Sequence, residues 1–257
     1  MRNTKRFLMT ACGAILCVVF WLGMPAPQAQ AQGGTDAAKR GAEILNAAAS
    51  AAGGEAVKKV TSVEFKATGS VTTLNGPAPV LVIVQVEFPD KARLETDLGF
   101  ALVISGFDGK GGWFSSQQGT YDVPADMNGD LLRGVDLTGG LGLYKKSLSG
   151  KAEAEFKGEK EVAGQKTWLV EWKGPSGKVK LYFDTATKML VAAKYRALTM
   201  QGAVEEERRW SDFRDIAGVK FPYHWVTFRD GSLFSDQSVT EVKLNAAVEA
   251  GAFARPQ

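Results

Sequence analysis

Cysteine and histidine are nearly absent from this chain: two cysteines and one histidine among 257 residues. Both cysteines, Cys12 and Cys17, lie in an apolar N-terminal stretch; Met9-Thr10-Ala11-Cys12 is a poor lipid-attachment motif and comes too early in the run, and Cys17 has Leu16 where a small residue is needed. Beyond that stretch there is no disulfide and no thiol nucleophile. A zinc site usually draws on several His or Cys, and a Ser-His-Asp triad would have to use His224. His224 sits in Phe221-Pro-Tyr-His-Trp-Val, where the neighbours alternate, so it reads as an ordinary strand residue. No metal, no cofactor and no catalytic residue is expected.

An excess of positive charge is missing too. Arg2, Lys5 and Arg6 precede an uncharged apolar run, Phe7 to Met24, followed by Pro25, Pro27 and Ala29-Gln30-Ala31. This is the pattern of a secretory signal peptide over residues 1–31, cleaved before Gln32. The three basic residues of that segment make up the whole net charge of +3; the remaining 28 Lys and Arg balance 28 Asp and Glu. Nucleic acid is therefore not an expected partner. The expected location is the periplasm, with no stable membrane span after cleavage.

Nucleotide loops are absent. Phe107-Asp-Gly-Lys-Gly-Gly-Trp-Phe114 has Gly111, not Ser or Thr, after Lys110, and an apolar β-like run follows it. Neither a phosphate-binding GxxxxGK[ST] loop nor GxGxxG before a helix fits. Asp108-Gly109 between apolar runs reads as a tight hairpin turn.

Most of the chain alternates with period two. Val80, Val82, Val84, Val86 and Phe88 face one way; Lys91, Arg93, Glu95 and Asp97 alternate with Ala92, Leu94, Thr96 and Leu98. Pro89-Asp90 between them marks a turn. Similar runs recur from Trp168 to Leu244, giving about ten or eleven antiparallel strands. Asp36 to Ala52 is Ala-rich, stops at Gly53-Gly54 and reads as one helix with a thin apolar face of Ile44, Leu45 and Ala48. Residues 126–149 are spaced as two short helical pieces with a flexible Gly139-Gly140 joint. The fold class is mostly β: a long antiparallel meander, curled by its twist, with one face that only the helices can cover.

Glu205-Glu206-Glu207-Arg208-Arg209 reads as a solvated edge with cross-strand ion pairs. The aromatics Trp113, Trp168, Trp172, Phe183, Trp210, Phe221, Tyr223 and Trp225 serve equally as core or as the wall of a ligand cavity.

In order, Gly53-Gly54, FPDKARLE (88–95), FDGKGGWF (107–114), VAGQKTWLVEW (162–172), LYFDTATKMLVAAKY (181–195), WSDFRDIAGVKFP (210–222) and VTEVKLN (239–245) resemble the LolA-like periplasmic proteins, often described as outer-membrane lipoprotein-sorting proteins. The likeness spans residues 32–257. It implies an incomplete, strongly curved antiparallel β-barrel lidded by helices, whose hollow takes acyl chains. Carriers of this family commonly have an arginine before the proline of the first long hairpin; here Phe88 precedes Pro89. The resemblance thus carries the lipid-holding fold further than the handover of cargo.

The resulting expectation is a non-enzymatic carrier for the acyl chains of a lipid or lipoprotein. Its cavity walls would be Val82, Val84, Leu94, Leu98, Trp168, Val170, Trp172, Phe183 and Trp225, with Leu131 and Leu132 on the lid. The alternative is a non-catalytic module with a filled core that binds an envelope protein partner. A hydrolase using Glu206 or His224 ranks last.

Overall fold

The computed structural model describes residues 29–199 and 202–256. Most of the leader reading, including Cys12 and Cys17, lies outside the described residues. Among the described residues, no helix is long and apolar enough to cross a membrane.

All the described strands join one antiparallel sheet made of two meanders. The first comprises β1 (Ser62–Thr73), β2 (Gly76–Glu87), β3 (Lys91–Asp97), β4 (Leu102–Asp108), β5 (Gly112–Ser116) and β6 (Gly119–Asp122). The second comprises β7 (Ala154–Val162), β8 (Gln165–Gly174), β9 (Gly177–Asp184), β10 (Leu190–Thr199), β11 (Gly202–Ile216), β12 (Val219–Arg229) and β13 (Ser232–Leu244). The meanders are sewn together by β1 and β13, with Val63 opposite Leu244 and Val71 opposite Ser235. The sheet is curved but not closed: β6 and β7 are free edges. The described strands number thirteen, more than the ten or eleven expected. The short β6 and the charged β7 carry little apolar alternation, as exposed edges do.

The hairpin readings hold. Between β4 and β5, Asp108 Oδ1 accepts the backbone N–H of Lys110 at 2.8 Å and of Gly111 at 2.9 Å, while Gly109 takes φ 93°. The carboxylate closes its own turn, and those N–H donors hold its pKa below the usual range.

Helix α1 spans Ala29–Ala51, longer than the Asp36–Ala52 expected, and a one-turn helix α2 (Glu55–Lys59) follows it. The buried face of α1 is Ile44, Leu45, Ala48 and Ala49. Its small side chains permit close docking: a Cβ on Gly41 would stand 2.5 Å from the carbonyl oxygen of Ala154 on β7. The insert between β6 and β7 holds α3 (Asn128–Asp136) and α4 (Leu141–Leu148), preceded by a short 3-10 turn, Ala125–Met127. Helices α1 and α4 together cover the β7–β10 side, where Tyr144, Leu141, Leu143, Val170, Trp172, Leu181 and Phe183 form a packed core.

The joint expected to be flexible is instead buried. Leu137, Thr138, Gly139 and Gly140 are all inside, and the two glycines adopt φ 55° and 75°. Their role is steric: they take left-handed backbone under aromatic rings where no Cβ fits.

Candidate functional site

Helix α3 leaves the packed half and bridges the open face. Near its start, the Asn128 side-chain oxygen accepts the Gly112 backbone N–H from β5 at 3.2 Å. On the far side, Asp130 Oδ2 accepts the backbone N–H of Leu198 on β10 at 2.7 Å, and Arg133 donates to Ser176 Oγ in the β8–β9 turn. Arg133 also lies over the Tyr195 ring at 4.0 Å and pairs with Asp130 at 2.6 Å. The lid is thus pinned to both meanders by polar contacts.

Beneath it lies a hollow of about 430 Å³. Its apolar wall comes from β1 to β4 (Val71, Val80, Val82, Val84, Leu94, Phe107), from Trp225 and Phe234, and from Leu131 of the lid. At its base, Phe65 and Trp225 pack with ring centroids 5.0 Å apart, and Trp225 stands edge-on to Trp210 at 6.2 Å. Trp225 Nε1 donates to the Pro222 carbonyl at 3.0 Å, so the indole has its polar bond met by the chain. A second hollow of about 510 Å³ opens on the other side of α3, among Phe114, Tyr121, Met127 and Leu198. The two share a wall of Asp130, Leu131, Gly134, Glu206, Arg208 and Arg229.

The sequence candidates divide between two environments. Val82, Val84, Leu94, Leu131 and Trp225 meet around the 430 Å³ hollow. Val170, Trp172 and Phe183 lie in the core beneath α1 and α4 and do not reach it. Trp168 is half-buried, with Arg40 and Lys188 over its ring at 5.4 and 4.2 Å. Leu98 packs at the margin of the core, and half-buried Leu132 lines neither hollow.

The reading of Glu205–Arg209 as a solvated edge is corrected by the structure. Strand β11 is interior to the sheet, so its alternate residues point into the half-barrel. Glu206 is buried; it accepts the Tyr195 hydroxyl at 2.7 Å, Arg208 at 3.0 Å and Arg229 at 3.2 Å. Burial pushes the Glu206 carboxyl up, but Arg208, the Tyr195 bond and Arg229 outweigh it and hold the pKa below the usual range. Burial pushes the Tyr195 hydroxyl up to about 12, so it remains a donor. Glu205, Glu207 and Arg209 lie on the other face with Lys194. The signal was present in the alternation Glu206, Arg208, Trp210, which places two charges on the face of a buried tryptophan.

On the convex face, Ser211 Oγ lies 3.0 Å from His224 Nδ1, and His224 Nε2 lies 2.8 Å from Asp236 Oδ1. This is the residue set of a hydrolase relay, but Ser211 is exposed, Asp236 is half-buried and none of the three lines either hollow. Acyl transfer also needs donors aimed at the developing oxyanion and a place to hold the substrate. Among the described residues, no group of His, Cys, Asp and Glu is arranged to hold a metal ion.

An open antiparallel half-barrel with a helical lid over an apolar hollow defines a class of fold, and solved structures share it. The chain superposes on a candidate outer membrane lipoprotein-sorting protein domain from Vibrio parahaemolyticus with TM-score 0.56 at 9% identity, covering 84% of this chain and 97% of that one. A DUF1329 family protein from Desulfovibrio piger gives TM-score 0.56 at 10% identity, with 84% and 97% covered. A LolA superfamily protein from Nitrosomonas europaea gives 0.54 at 12% identity, with 83% and 96% covered. No protein-family model and no curated protein matches the chain. At these identities, 9–12%, the likeness is one of architecture alone.

Proposed function

We propose that this protein is a non-catalytic envelope carrier that shields the acyl chains of a lipid or lipoprotein between its sheet and α3, in the periplasm. The observation that carries this reading is the 430 Å³ hollow walled by Val80, Val82, Val84, Phe107 and Trp225, beside the packed core beneath α1 and α4. A buried CH₂ contributes about 0.8 kcal/mol, so about ten methylenes give roughly 8 kcal/mol before ordering costs. Such binding needs an apolar wall and no sharp sequence motif. The lipoprotein-sorting description of a structural neighbour is consistent with this role.

The test is to express the chain in a bacterium, extract the purified protein with solvent and analyse the extract by mass spectrometry. Fluorescent fatty-acid uptake is measured in parallel. Co-purified lipid and saturable uptake are expected. A protein that yields no lipid and takes up none would overturn the reading in favour of an interaction module.

A further inference from the structure

An acyl tail needs only an apolar wall, yet the wall shared by the two hollows is charged. Two guanidinium groups, Arg208 and Arg229, stand there with two carboxylates, Asp130 and Glu206, and a third guanidinium, Arg133, lines the second hollow. Arg133 is matched by Asp130 at 2.6 Å. Arg208 and Arg229 share Glu206, at 3.0 and 3.2 Å, which leaves one positive charge over. Arg208 Nε is buried and has no hydrogen-bond partner among the described residues. A buried unmet donor on a charged group is costly, and a ligand acceptor relieves that cost. Charge-assisted bonds to a carboxylate are among the stronger ones that arginine makes. Arg229 is held in place by the Phe234 ring, 3.6 Å from its guanidinium carbon.

We infer that the ligand is a single-chain amphiphile with a monovalent anionic head, a free fatty acid. Its carboxylate sits inside at Arg208 and Arg229, and its tail runs along Val80, Val82 and Val84 toward Trp225. This rests on the carrier reading and specifies its cargo. One surplus charge matches a carboxylate; a phosphate monoester, near two negative charges at neutral pH, would be left uncompensated. Glu206 sets that balance: it locks both arginines in position and cancels one of them.

The experiment measures the affinities of purified protein for palmitate and for 1-hexadecanol, which share a tail length and differ in head charge. Wild type should favour palmitate at least tenfold. Arg208→Met and Arg229→Met should each bring the ratio toward one. Glu206→Gln, which uncovers a second positive charge, should raise it, an effect that damage to the fold does not mimic. Equal affinities in wild type, or a ratio unmoved in all three variants, would overturn the inference while leaving the hollow as a neutral acyl site. Failure of both ligands to bind would overturn the carrier reading as well. Hexadecyl phosphate outcompeting palmitate would overturn the choice of carboxylate.

Discussion

Gly139 lies so close under Phe221 that a Cβ on it would stand 2.5 Å from the Cε2 atom of that ring. Phe221 is fully buried on β12, and Gly139 sits at the turn between the two helices of the insert. The contact seats the helical cover on the sheet at one point, and that point allows no side chain.

Gly139→Ala should therefore lower stability by about 1–3 kcal/mol, through overpacking and the left-handed φ together. Denaturant unfolding checks this. Gly150, also at positive φ but with open space around a Cβ, is the control: its alanine variant should cost about 1 kcal/mol or less.

The two halves of the concave face should respond oppositely to substitution. Leu181 is fully buried in the filled half, so Leu181→Ala should cost about 2–5 kcal/mol. Fatty-acid uptake, measured where the variant is still folded, should not fall. Val84 borders the hollow and is only half-buried, so Val84→Trp should reduce uptake severalfold with a smaller loss of stability. Unfolding and uptake measured side by side on both variants check the division.

Much of this architecture was legible in the sequence. Period-two runs and Asp-Gly or Pro-Asp turns gave the hairpins, and the Ala-rich segment gave the helix that could dock closely. What escaped was what depends on neighbours distant in sequence. β7 was hidden because an exposed edge strand carries charges on most positions. The Gly139-Gly140 joint read as flexible because a glycine's want of a side chain looks the same whether it serves motion or a ring packed against it. Val170, Trp172 and Phe183 could not be told from Val82 and Val84 by pattern alone, since both sets face inward. Only the placement of α1 and α4 over one half and α3 over the other separates them. Glu206 and Arg208 read as surface charges because the sheet order that puts β11 in the interior is not written locally.

The Ser211–His224–Asp236 line should be a surface hydrogen-bond chain without hydrolytic function. Ser211→Ala and His224→Ala should leave p-nitrophenyl ester turnover at the wild-type background and change stability by no more than about 1 kcal/mol. Loss of a measurable turnover in either folded variant would make the relay functional.

Acid should weaken the protein through Glu206. Its folded pKa lies below its ordinary value of 4.5, so its contribution is complete above that value and is lost as pH falls through the lowered one. Asp136 acts with the opposite sign. Burial raises its carboxyl pKa more than Lys146, 2.5 Å away, lowers it. It therefore favours the fold below the ordinary carboxylate range, and that benefit is lost as pH climbs through the raised value. Stability measured by urea unfolding from pH 3 to 7 separates the two. Glu206→Gln should flatten the acid limb and cost about 3–5 kcal/mol at neutral pH, because Arg208 and Arg229 lose their shared partner. Asp136→Asn should be nearly neutral at pH 7, since it removes a carboxylate costly to bury while Lys146, a third exposed, turns to solvent. A steep acid limb that persists in Glu206→Gln would place the acid sensitivity elsewhere in the chain.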